Sequence, residues 1–219
     1  MDTYREEWND RQEWEAEQAL ATKHQIMVQQ APKIALLLGV LFWMVLPRGV
    51  AVLLGQEIFT SRLPILGTVG SVLGVICSLI YALVLLKLVF VSERYRFAGM
   101  CSLAASAINV VMLFMKASVV TTVLVLVVVA ITLAADYFEL HGHAELLDDE
   151  DPVQAENFRT LWKWNIGATG ALAVGLLLLV FSPFIGVVTL LTGATGVVIV
   201  AVRKLIFLHR AWVTFRDYE

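Results

Sequence analysis

Long apolar runs, a scarcity of charge and a lopsided distribution of basic residues predict an all-α fold, a polytopic membrane bundle of about six transmembrane helices. The chain has 219 residues, of which 59% are hydrophobic and 16% charged. Its mean hydropathy is +0.78. A water-soluble domain carries about 25% charged residues. Hydrocarbon offers the backbone no hydrogen-bond partner, so a spanning segment must satisfy its own amides and carbonyls. A helix of about 20 apolar residues does this and covers the hydrocarbon thickness.

The elements follow in order. Residues 1–32 read as a polar, amphipathic cytosolic helix. Residues 3–30 contain no Pro and no Gly and are rich in Glu, Gln and Ala, a helix-favouring composition. Seven acids and three bases fall in the first thirty residues, which is not the pattern of a cleavable signal peptide. The run from Ile34 is expected to act as the insertion signal. Residues 33–208 are read as the bundle, with spans near 34–55, 64–91, 97–115, 117–137, 163–183 and 185–207. Leu46-Pro47-Arg48-Gly49 interrupts the first span, leaving 49–60 as a continuation, a re-entrant piece or an interfacial one. The stretch 118–134 is rich in Val and Thr, which favour strands in water, but a lone strand cannot stand in lipid. Residues 97–137 carry two charges, Lys116 and, at the far end, Asp136, and as a single helix would run about 60 Å. The chain is therefore expected to reverse at Lys116-Ala117-Ser118. Residues 138–162 form a cytosolic joint, and 209–219 a short cytosolic tail.

The bases fix the expected orientation. With the N-terminus inside, the cytoplasmic segments hold Arg5, Arg11, Lys23, Lys33, Lys87, Arg94, Arg96, Arg159, Lys163, Arg203, Lys204, Arg210 and Arg216. The outer segments hold only Arg48, Arg62 and Lys116. Both termini are expected to be cytoplasmic, and the composition suits a bacterial inner membrane. Trp162, Trp164 and Trp212 fall where rings would sit at headgroup level.

Small residues mark packing faces. AGMCSLAASAIN (98–109) lets backbones approach closely, and Asn109 can hydrogen-bond across such a contact. GATG occurs at 167–170 and again at 193–196. In an antiparallel hairpin the two are expected at different depths, each packing on something else. A shared KL-x-F core in 85–97 and 201–215, with a degenerate echo at 136–141, reads as similarity between basic membrane exits.

Candidates for chemistry are few. ELHGHAELLDDEDP (139–152) gathers His141, His143, Glu139 and Glu145, the candidate metal or proton-sensing residues. His141 and His143 are two apart and do not share a helix face. HEXXH spacing is absent, and DDEDP lacks an EF-hand pattern. Asp151-Pro152 fits an N-cap followed by Pro at N1. A candidate polar path comprises Arg48, Glu57 and Asn109, because charge inside an apolar run marks function by default. Lys87 and Asp136 read as anchors near helix ends. Cys77 and Cys101 lie in apolar stretches without CxxC or zinc spacing. There is no GxSxG, no phosphate loop and no cofactor motif. A net charge of −3 with no basic–aromatic patch does not suggest nucleic acid, and none is expected as a partner.

The expected function is accordingly a non-enzymatic multi-pass protein of interaction, assembly or regulation. Its partners would be the lipid bilayer, a protein bound through residues 3–30, and a second copy of the chain. A small transporter or channel with a path near Arg48, and a membrane-interface enzyme or metal site at 139–152, are the alternatives.

Overall fold

The computed structural model describes Trp14, Gln18 and residues 28–47, 49–51, 64–115 and 119–217. Among these residues it contains six helices long and apolar enough to cross a membrane. They are α1 (Val28–Ala51), α2 (Pro64–Lys87), α3 (Arg94–Leu113), α4 (Val119–Leu147), α5 (Pro152–Phe181) and α6 (Pro183–Arg216). The bulk of the expected N-terminal helix, together with Arg48, Glu57 and the stretch 52–63, lies outside the described residues.

Each helix stops for a local reason. The long apolar run at 97–137 is broken as expected, with α3 ending at Leu113 and α4 starting at Val119. Asp151 caps α5: its Oδ1 accepts from the Gln154 amide at 2.9 Å, and Pro152 occupies the first turn. Pro183 ends α5 because it has no amide hydrogen and drives the residue before it out of the helical region. Ser182 is extended, and it alone separates α5 from α6.

Several boundaries differ from the expectation: α1 starts at Val28 rather than near 34, α5 at Pro152 rather than near 163, and the expected joint 138–162 is helical except for 148–151. The fourth helix was expected to stop near 137 and the sixth near 207, yet α4 runs to Leu147 and α6 to Arg216. Both extensions are held by burial. Leu140, Ala144, Leu146 and Leu147 on α4 are buried, as are Leu208, Ala211 and Phe215 on α6. Trp212, expected at headgroup level, also packs on α1. It is half-buried and stacks on Phe42, and its indole lies against Gly39 of α1.

From α2 onward, consecutive helices pack on one another. The main core uses the start of α1 (Ile34, Leu38, Leu41), the end of α2 (Leu85, Leu88) and Tyr95 at the start of α3. It also uses Leu140 and Leu147 late in α4, Phe158 early in α5, and Leu208 and Phe215 late in α6. These helix ends therefore meet at one end of the bundle, which we call proximal. Away from it the helices keep large apolar side chains outward: Leu126 and Leu177 are 65% exposed, a surface that a bilayer would cover.

The α5–α6 hairpin is held by close backbone approach. A Cβ on Gly186 would lie 2.5 Å from the Leu179 amide nitrogen, and one on Gly193 2.8 Å from that of Leu172. A Cβ on Gly196 would meet Ala168 at 2.9 Å. The two GATG segments thus sit at the same depth, Ala168 of the first lying against Gly193 and Gly196 of the second, against the expectation. They stand almost equally far from Ser182, so an antiparallel hairpin turning there brings them level. Van der Waals contact of this kind holds helices together where lipid removes the hydrophobic drive.

Candidate functional site

The polar residues of α4 follow the helical repeat. Asp136, Glu139 and His143 are three or four apart, so they share a face, while His141 and Glu145 point elsewhere. Glu139 is 2% exposed and His143 1%. Buried charge needs a partner, and Glu139 finds it on α6: Lys204 Nζ lies 2.9 Å from Glu139 Oε1. The same ammonium lies 3.3 Å from Asp136 Oδ1. Asp136 also accepts from Asn165 Nδ2 of α5 at 3.2 Å. The hydroxyl of Tyr81 on α2 donates to Glu139 Oε1. Three helices besides α4 therefore converge on two carboxylates.

His143 extends this cluster toward α3. Its Nδ1 is 2.8 Å from the Tyr95 hydroxyl, and both groups are buried. Its Nε2 is 3.4 Å from Glu139 Oε1, ion-pair distance without hydrogen-bond geometry. Gly142 lets Tyr95 lie close, since a Cβ there would stand 3.2 Å from the ring. Phe158 of α5 covers the imidazole, with ring centroids 5.1 Å apart.

A cavity of about 40 Å³ opens beside the carboxylates, between α2, α3 and α4. Its lining is mostly polar: Ser78 and Tyr81 of α2; Ser102, Ser106 and Asn109 of α3; Thr132, Asp136 and Glu139 of α4. A water needs roughly 10–15 Å³ of such space and two to four polar partners. The cavity is thus large enough for water or a small ion and too small for an organic solute.

Two further acids at the proximal end, Glu145 and Asp148, serve the turns. Glu145 accepts from Ser92 Oγ at 2.6 Å and pairs with Arg94, tying the α2–α3 turn to α4. Both oxygens of Asp148 accept from Arg159 Nη2, at 2.7 and 2.6 Å, closing the α4–α5 turn. His141 Nδ1 donates to the Tyr137 carbonyl at 2.8 Å. Among the described residues, no three His, Cys, Asp or Glu side chains are grouped to hold a metal ion.

The sequence candidates are thereby separated. Glu139 and His143 join one buried cluster, His141 and Glu145 lie apart from it, and Asn109 lines the cavity. Arg48 and Glu57 are outside the described residues. Asp136, expected as an interfacial anchor, pairs with Lys204 in the ion cluster. Lys204, Tyr81, Tyr95 and Asn165 were missed. Only the helical spacing of Asp136, Glu139 and His143 could have pointed to this face. Comparison with protein-family models, with curated proteins and with solved structures finds no match to this chain.

Proposed function

We propose that the protein is a multi-pass integral membrane protein of a cell (inner) membrane with both termini cytoplasmic. We infer further that it acts as a small transporter or channel, with its working site between the helices and no catalytic role. The observation that carries this reading is the placement of Asp136 and Glu139, both paired with Lys204, on a polar cavity in an otherwise apolar bundle. Charged groups at membrane depth are costly, and they recur where ions or protons move. Asn109 extends the polar surface along α3. The orientation is supported by the proximal end, which gathers Lys87, Arg94, Arg159 and Arg216.

Proteoliposomes test this reading. Purified protein is expected to pass sodium ions or protons faster than empty vesicles do, and Asp136→Asn is expected to remove most of that flux. Asp148→Asn, at the exposed turn, is expected to keep it. Wild-type flux equal to empty vesicles overturns the transport reading. For orientation, a cysteine at Asp149 is expected to label only from the cytoplasmic side, and one at Met115 only from the other.

A second reading, self-assembly, draws on Gly167 and Gly170. Nothing lies within 4 Å of a Cβ added at either, so α5 keeps a small-residue face unoccupied within the monomer. Crosslinking through Gly167→Cys in membranes tests it: a dimer band is expected, and its absence removes this reading.

A further inference from the structure

The lining of the cavity presents lone pairs. The Tyr81 hydroxyl proton is directed to Glu139, and the Ser106 hydroxyl proton to the Ser102 carbonyl at 2.8 Å. With their protons so placed, both oxygens face other groups as acceptors. Glu139 meets Tyr81, Lys204 and His143 through Oε1 alone, and Oε2 takes none of these contacts. Asn109 also lines the space, and among the described residues its side chain forms no hydrogen bond within the protein. The charges do not balance either. Two carboxylates, Asp136 and Glu139, face one ammonium, Lys204, leaving one negative charge in excess among these three groups.

An acceptor-lined, net-negative space sized for about three waters suits a hard cation, which takes oxygen ligands. A monovalent ion neutralises the excess charge, and a divalent ion overshoots it. We propose that this cavity binds a single sodium ion, held by Glu139, Asp136, Asn109 and the hydroxyls of Ser78 and Ser106, next to the Lys204 ammonium. The inference rests on the reading of this cluster as the working site, but it requires binding only, not flux.

The test uses the purified full-length protein in detergent. Thermal unfolding is followed by tryptophan fluorescence as sodium chloride replaces choline chloride at constant ionic strength. A ligand that binds only the folded state raises the melting temperature with its concentration. Sodium is expected to give a saturable rise that potassium, calcium and choline do not. Asn109→Ala and Ser78→Ala each remove one oxygen donor without breaking an ion pair, and each is expected to weaken the apparent sodium affinity about tenfold. Thr189→Ala, remote on α6, is expected to leave it unchanged. Equal responses to sodium, potassium and choline, a response confined to calcium, or sodium responses unaltered in both cavity variants would each overturn the proposal. Sodium binding without vesicle flux overturns only the transport reading. Proton flux with no sodium response overturns only the sodium site.

Discussion

The two ends of the bundle are held by different forces. At the proximal end six helix ends surround a core that includes an ion cluster, paired rings and capped turns. Toward the α5–α6 turn the contact is glycine and alanine against backbone, with apolar side chains left outward. The difference teaches where specificity comes from in a chain of this composition. Apolar side chains cannot choose between lipid and protein, because both are equally oily. Helices must be selected either by shape, as in the hairpin, or by polar groups that have no other partner, as in the cluster.

The largest effect is expected at the cluster. Lys204→Met leaves the buried Glu139, and the half-buried Asp136, without their cation, and removing one partner of a buried pair costs about 3–5 kcal/mol. Unfolding in detergent measures it, and a loss under about 1 kcal/mol would mean that water reaches these groups freely. The hairpin comes next. Gly186→Ala sets a methyl against the Leu179 backbone, which cannot rotate away, and is expected to destabilise by about 1–3 kcal/mol. Gly170→Ala, where the added carbon meets nothing, sharpens the contrast. It is expected to stabilise slightly, by up to about 1 kcal/mol, through helix propensity alone. Asp151→Ala removes the cap of α5 and is expected to cost about 1 kcal/mol. Smallest is Arg159→Ala, whose pair with Asp148 is more than a third exposed, with an effect of about 0–1 kcal/mol.

The apolar runs made the helices legible, because their length and lack of charge allow no other structure in lipid. The α5 cap was legible too, since Asp151-Pro152 is a local signal. The ends of α4 and α6 were not. Residues 138–147 look polar when averaged, yet Leu140, Ala144 and Leu147 recur at helical spacing and bury one face. The candidate site was half legible for the same reason. Comparing His141 with His143 gave two faces, whereas Glu139 with His143 gives one. The partner Lys204 lies 65 positions after Glu139 and on another helix, and nothing local to either residue announces the pair. The GATG segments were misplaced for want of the turn position. Once Pro183 is seen to fix the turn, their equal distances from Ser182 bring them level.

The central claim is that Glu139 and Lys204 are a coupled pair inside the bundle. A double-mutant cycle with Glu139→Gln and Lys204→Met, read by unfolding in detergent, tests it most directly. The account predicts that each single change costs several kcal/mol while the double variant recovers a large part, a coupling of about 2 kcal/mol or more. Additive losses, with coupling within about 0.5 kcal/mol, would contradict it and remove the cluster as a working site.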